Sequence, residues 1–326
     1  VGPMLSEMLG VELATNAVEI TADNNTITAK TRSGEESLRL PALVTVERSY
    51  VLRFPSIFSK AGDVKLIDNT ELCCDENRCG LKGSPTRVLM TFENERGKRK
   101  CKFISREELL PLINELKSQN RIEVRSRSNG TKLKSAWAIG TAVYNKASEI
   151  AEQVTLIPEG DPADIASRAE IEKPAVILWN ADAWGRRNAP IVAAKLKTGL
   201  CADCTSLETD GEMLFMYRPA QGGNIIAKIK CLTMPQMATV RTETDSGDII
   251  VSCGRGIADE LDKLKTFASQ LGAQLGASRG LVDMGTVPYE LQVGLTGRTV
   301  VPKIYIAVGI SGAVHHTCAI EGAQTV

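Results

Sequence analysis

The chain has 326 residues, with 39 Lys+Arg against 39 Asp+Glu, 43% hydrophobic residues and 4% aromatics. That length suggests roughly two domains and can bury a real, mostly aliphatic core without disulfide staples. Zero formal net charge argues against nucleic acid or an anionic membrane as the main partner, because both demand a basic excess.

The first third reads as β-rich and irregular. Val18–Ile20 and Thr26–Thr31 are short strands around an Asp-Asn-Asn turn, and residues 38–47 (LRLPALVTVE) alternate as one strand with Pro41 at an edge or entry. A loop through Arg53 and Ile57 leads to a polar stretch bearing Cys73, Cys74 and Cys79, then to a strand over 87–92. Leu109, Leu112, Ile113 and Leu116 fall at helical spacing, with Ser105 and Glu108 as a capping box and Pro111 obscuring the helix start. The polar stretch 118–134 is a boundary.

From about residue 135 the rhythm becomes strand-then-helix. Residues 154–157 and 175–179 are short apolar runs of the buried parallel-strand type, separated by a helix over 162–170. A helix over 187–196 and strands over 213–217 and 225–232 follow, with a second boundary at 243–247. After it come a strand over 249–253, a helix over 257–271 and a strand over 303–308. Ile257, Leu261, Leu264, Ala268 and Leu271 make one apolar face of that helix. This pattern is α/β with a parallel sheet.

The apolar runs 175–179 and 304–310 are far short of the ~20 residues of a bilayer span. Glu7 and Glu12 interrupt the opening apolar run, unlike a signal peptide. The nine cysteines therefore read as free thiols of a reducing compartment: cytoplasmic, or the mitochondrial matrix in a eukaryote. Neither the Cys73-Cys74-Cys79 group nor the Cys201-x-x-Cys204 pair has a matched second pair or histidines at zinc spacing, so no metal site is expected. Beginning at Val1 and stopping where a strand would open, the sequence reads as truncated at both ends.

No G-x-S-x-G, H-E-x-x-H, P-loop or G-x-G-x-x-G pattern is present, and no catalytic residues are expected. Instead, four Gly-rich turns crowd the last eighty or so residues: 253–256, 276–279, 293–297 and 310–316. Each lies where a strand hands over, which in α/β sheets is where ligands bind, and glycine allows close backbone approach to a pyrophosphate. Arg255 and Arg279 add positive charge, and both histidines, His315 and His316, sit on the last turn. With no general base paired to a nucleophile, these groups would set the electrostatics of a bound cofactor.

Gly276-Ala277-Ser278-Arg279, the run from Pro302 to Ala313 and His316 strongly resemble the FAD domain of the electron-transfer flavoprotein α subunit. The resemblance extends upstream through 198–200, 202–205, 218–220, 222–224 and 235–241, covering roughly residues 150–326. Residues 1–5, 40–46, 53–57 and 80–88 are similar to the C-terminal half of the β subunit, so the chain reads as a β-to-α fusion. It implies a β-subunit-like segment over 1–121, an α/β domain over 122–243 and a parallel-sheet, Rossmann-like and DHS-like FAD-binding domain over 244–326. The resemblance also implies one FAD; AMP or a second FAD would belong only to a full-length parent.

By the same resemblance, Arg255 lies near the dinucleotide, Ser278 contacts it, Arg279 lies over the isoalloxazine ring, Thr296 bonds near flavin N5 and His316 approaches the O2 edge. The backbones of Val293, Gly294, Leu295 and Thr296, and of Ser311, Gly312, Ala313, Val314 and His315, would cradle the ribityl and pyrophosphate portion. Leu295 and His315 each replace a family Gln. Arg53 and Ile57 match the recognition loop that docks on partner dehydrogenases, with Ile57 as its apolar anchor. The function implied is a carrier rather than an enzyme, moving single electrons from acyl-CoA-type dehydrogenases to a quinone-linked oxidoreductase, with heterodimer-like packing within the chain or with another copy. The alternative is a truncated, non-redox binding module that has lost flavin; a flavoenzyme with its own substrate is a third reading, without paired acid-base groups to support it.

Overall fold

The computed structural model describes residues 1–31, 34–47, 50, 62, 65–93, 104–118, 131–220, 225–242 and 247–326. Helix α1 (Gly2–Leu9), not foreseen in the sequence, starts on Pro3 and is closed by Gly10 in the left-handed region. Strands β1 (Glu12–Ala17), β2 (Glu19–Asp23), β3 (Thr26–Thr31), β4 (Gly34–Arg39) and β5 (Ala42–Val46) follow. β2, β3 and β4 form an antiparallel sheet, while β1 pairs in parallel with β5. The single strand expected over 38–47 is therefore two strands in two sheets. Pro41, which has no N–H to continue a ladder, stands between them.

Next come α2 (Asn69–Leu72), α3 (Gly80–Gly83), β6 (Thr86–Glu93) and α4 (Arg106–Ser118). The Ser105 backbone N–H donates to the Glu108 carboxylate at 2.7 Å, the reach-back half of the expected capping box. Pro111 is accommodated inside α4.

The central unit runs β7 (Leu133–Ile139), α5 (Tyr144–Ile150), β8 (Ala151–Ile157), α6 (Pro162–Glu172), β9 (Val176–Asn180), α7 (Ala183–Lys195), β10 (Leu200–Cys204), β11 (Ser206–Thr209), β12 (Leu214–Ala220), β13 (Ile225–Cys231) and β14 (Gln236–Val240). Five strands make an all-parallel sheet in the order β10-β14-β9-β7-β8. On β9 the period of two is plain: Val176 and Leu178 enter one core, Ile177 and Trp179 the other. Helices α6 and α7 cover the second face. The first packs on α5 and on an antiparallel sheet ordered β11-β12-β13-β6. β6 thus joins the leading segment to this unit by pairing with β13.

The last unit contains β15 (Ile249–Cys253), α8 (Leu261–Leu271), β16 (Gln274–Ala277), α9 (Arg279–Val282), β17 (Ile304–Val308) and α10 (Val314–Thr317). Its sheet is parallel, ordered β16-β15-β17. The helix expected over 257–271 begins only at Leu261. A 3-10 segment over Arg255–Glu260, with non-helical φ/ψ at Ile257, carries the chain away from β15 first. The expected apolar face still packs as one, with Leu264 and Ala268 buried and Ile257, Leu261 and Leu271 against them. No helix among the described residues is long and apolar enough to cross a membrane.

At the ends of β10 and β14, Arg241 is clamped on Asp203, with Nε 2.9 Å from one carboxylate oxygen and Nη2 2.5 Å from the other; Arg186 adds a third contact at 3.1 Å. Burial pushes the Asp203 carboxyl up, but the two guanidinia outweigh it and hold the group below its ordinary value. The Arg241 side chain is only 6% exposed, so removing its counter-charge leaves a buried cation unpaired. Asp203→Asn, which keeps the left-handed backbone that Asn tolerates at φ 67°, is expected to cost about 3 kcal/mol. Urea unfolding at neutral pH measures this; an unchanged midpoint would mean the pair contributes nothing net.

Candidate functional site

Because β15, β16 and β17 are parallel, the loops leaving their carboxyl ends gather on one side. These are the segments at 254–256, 278–280 and 309–313. A fourth segment, 292–296, reaches the same side because Ala277 bridges to Gln292 and the Val293 N–H donates to the Ala277 carbonyl at 2.9 Å.

Between the four lies a cavity of about 1,020 Å³, lined by Arg255, Ser278, Arg279, Val293, Gly294, Leu295, Thr296, Ser311, Ala313, His315 and His316, all singled out in the sequence. Gly312 and Val314, expected with them, lie off the lining. Arg53 and Ile57 lie outside the described residues.

Two close approaches shape the cavity. A Cβ on Gly254 would stand 2.1 Å from the Gly309 carbonyl oxygen, and Gly309 itself adopts φ +65°. Arg255 packs over Gly280, where a Cβ would meet its Nε at 3.0 Å, so its guanidinium is drawn over the start of α9.

Two of the polar groups are held from behind. The Arg279 side chain is aimed by Asp283 at 3.3 Å and by Glu47, from the leading segment, at 4.0 Å. At 39% exposure those contacts orient more than they stabilise. Thr296 Oγ1 accepts from Gln292 Nε2 at 2.8 Å, which leaves its own O–H to donate, and the Thr296 carbonyl accepts from the Tyr289 hydroxyl at 2.6 Å.

The two histidines differ. His315 is exposed, and its carbonyl accepts from the Leu295 N–H at 2.6 Å, tying two loops together. His316 is 6% exposed; its Nε2 lies 2.8 Å from the Tyr305 hydroxyl, and its Nδ1 has no hydrogen-bond partner. Burial holds its pKa below the ordinary 6.5, with the Val293 backbone opposing weakly.

Gln292, Tyr305, Glu47 and Asp283 are the residues that sequence reasoning missed. Only Tyr305 carried a signal, as a lone hydroxylated aromatic in the apolar strand IYIAV.

Elsewhere, the eight described cysteines are unpaired thiols; Cys201 and Cys204 are buried in β10, where they pack in the core rather than open a binding pair. Among the described residues no three His, Cys, Asp or Glu side chains group as metal ligands.

The cavity suits a flavin dinucleotide in size, in its two guanidinia for an anionic portion, in its hydroxyl donor and in the unpartnered, buried ring nitrogen of His316. Comparison with known proteins points the same way. Residues 243–321 match the electron transfer flavoprotein FAD-binding domain, and residues 155–246 the electron transfer flavoprotein domain. The chain is 39% identical over 215 residues to the electron transfer flavoprotein subunit alpha of Thermoanaerobacterium thermosaccharolyticum, covering 52% of this chain and 65% of that protein. Protein FixB of Rhizobium meliloti is 36% identical over 202 residues, 47% of this chain and 57% of FixB. The lactate dehydrogenase (NAD(+),ferredoxin) subunit LctC of Acetobacterium woodii is 36% identical over 198 residues, 47% of each chain. The chain spans less than two thirds of the length of each of these relatives.

Two outcomes follow from this geometry. Gly254→Ala drives a Cβ into backbone, and is expected to cost about 3 kcal/mol and abolish flavin retention; a variant of unchanged melting temperature would show that the loops can part freely. His316 is neutral in the fold, so its contribution to stability is fully present above pH 6.5 and is lost as pH falls through its lowered folded value. In thermal unfolding between about pH 5 and pH 7.5, His316→Gln should flatten that decline.

Proposed function

Through residues 155–321 the chain belongs to the electron-transfer flavoprotein family, and from that premise we propose that it carries FAD in the cavity at the ends of β15, β16 and β17 and passes electrons one at a time. The observation that carries this reading is the convergence of Arg255, Ser278, Arg279, Thr296 and His316 on one cavity within the segment that matches the FAD-binding domain.

FAD, when bound, supplies the redox chemistry, since it accepts and releases electrons singly. The chain's residues do the rest. Arg279 holds a positive charge over the ring position and favours negative charge there. Thr296 offers its hydroxyl as a donor, fixed by Gln292. Arg255 and the backbone of the Gly-rich turns take the pyrophosphate side. Among the described residues no hydroxyl lining the cavity is hydrogen-bonded to a lining histidine or carboxylate as a nucleophile–base pair would be, which fits a carrier better than an enzyme with its own substrate.

The leading segment acts as a built-in β-subunit-like partner. In support, β6 pairs with β13, Glu36 pairs with Arg187 at 2.8 Å, Glu7 with Lys195 at 2.7 Å, and α4 packs on the flavin-side sheet. Its donors are acyl-CoA-type dehydrogenases docked through Arg53 and Ile57, and its acceptor is a quinone-linked oxidoreductase. The free thiols fit a reducing compartment such as the cytoplasm.

The test is to mix the purified chain with FAD, desalt it and titrate it potentiometrically without oxygen. Retained flavin reduced in two one-electron steps is expected. Arg279→Ala should keep flavin but lower the first potential by about 59 mV, equivalent to ~1.4 kcal/mol. A wild-type chain that retains no flavin, or takes both electrons together, overturns the reading.

A further inference from the structure

Tyr305 has no place in the site read from the sequence, yet its hydroxyl lies within hydrogen-bond distance of the buried histidine. It lies on β17 at 1% exposure, within the cluster of Ile250, Val293, Val300, Ala319, Ile320 and Ala323. Its hydroxyl is 2.8 Å from His316 Nε2, and the rings are tilted at 55° with centroids 5.9 Å apart.

The proton between them has two possible arrangements, and counting partners separates them. If Nε2 carried the hydrogen, the phenol O–H would need another acceptor, and Nδ1 would be a buried acceptor with nothing to accept. The neighbouring Ser252 does not fill that need: its Oγ is buried with no hydrogen-bond partner in range, and its effect is to lower the phenol pKa, as a donor does and an acceptor does not. If instead the phenol donates to Nε2, the phenol is satisfied and Nδ1 bears the hydrogen. The Val293 backbone close to the ring then faces a donor rather than a lone pair. Leaving a buried donor or acceptor unmade is the more costly state, so the second arrangement is favoured.

We infer that Tyr305 is a positioning residue: its phenol donates to Nε2 of His316 and fixes the neutral Nδ1–H tautomer, so that His316 offers the cavity a hydrogen-bond donor without a charge. The significance of that donor rests on the flavin reading above; the hold of Tyr305 on the tautomer does not. Burial raises the phenol pKa and lowers that of the imidazole, so the phenol keeps its proton and the imidazole takes up no second one near neutral pH. Arg298 and Cys253 are the other titratable groups acting on the phenol, and His315 is the exposed neighbour on the same turn.

Only two histidines are present, so long-range proton–nitrogen correlation spectra of the ¹⁵N-labelled full chain resolve both, with His315→Gln giving the assignment. In the flavin-free protein at neutral pH, His316 is expected almost wholly as Nδ1–H. In Tyr305→Phe, its Nε2–H form should become the major one while His315 stays unmoved. An Nε2–H tautomer or an imidazolium in the wild type, or an unaltered His316 in a folded Tyr305→Phe, would overturn the inference. Should the Phe variant fail to fold, the wild-type spectrum decides alone. FAD is then added. A shift confined to the Nδ1 side of His316 supports the donor's role towards the flavin. Bound flavin that leaves His316 unmoved, or no binding, would sink that role and leave the Tyr305 assignment standing.

Discussion

Gly254 and Gly309 meet backbone to backbone where β15 and β17 end, and the cavity depends on that contact. The Gly254 N–H donates to the Val308 carbonyl at 2.9 Å and the Gly256 N–H to the Gly309 carbonyl at 3.2 Å, so the two strands stay paired past their last side chains. Only residues without Cβ atoms can do this at such a distance. The consequence is that the loop bearing Arg255 and the loop bearing Ser311 to His316 leave the sheet side by side. Their functional groups then face one volume instead of diverging into solvent.

Three polar groups in that volume are oriented by residues one step further back. Arg279 has Asp283 and Glu47, Thr296 has Gln292, and His316 has Tyr305. The three supports differ in kind. The arginine contacts are partly exposed and screened, so they set direction at little gain in stability. The Gln292 contact is half-buried, and the Tyr305 contact is buried, where a hydrogen bond is electrostatically stronger and its loss leaves an unsatisfied group. A cavity that tunes a bound cofactor needs fixed dipoles more than reactive side chains, and this is the arrangement found here.

The leading segment bears on both later units. β6 extends the antiparallel sheet at β13, and Glu36 meets Arg187 on α7. On the other side, Ile113 of α4 packs with Ile249 and Ile304, and Lys117 donates to the Leu271 carbonyl at the end of α8, where a cation also complements the helix dipole. Glu47 brings a carboxylate from the same segment to Arg279.

What the sequence determined by itself was local and periodic. The fully buried strands at 176–179 and 249–253, the apolar face of α8 and the Gly-rich turns at strand ends were all legible, because burial on two faces, a 3.6-residue stripe and a glycine at a turn leave their mark within a few residues. So were most of the cavity's lining residues, since strand-end loops of a parallel sheet must converge. The tertiary structure alone decided that 38–47 splits between two sheets, that Ile257 breaks the helix start, and that Gln292, Tyr305 and Glu47 stand behind the groups in the cavity. Periodicity says that a side chain is buried, not against which atom. Tyr305 stands out in its apolar strand only by its hydroxyl, which has no partner until the fold brings α10 across β17 and sets a histidine nitrogen 2.8 Å from it.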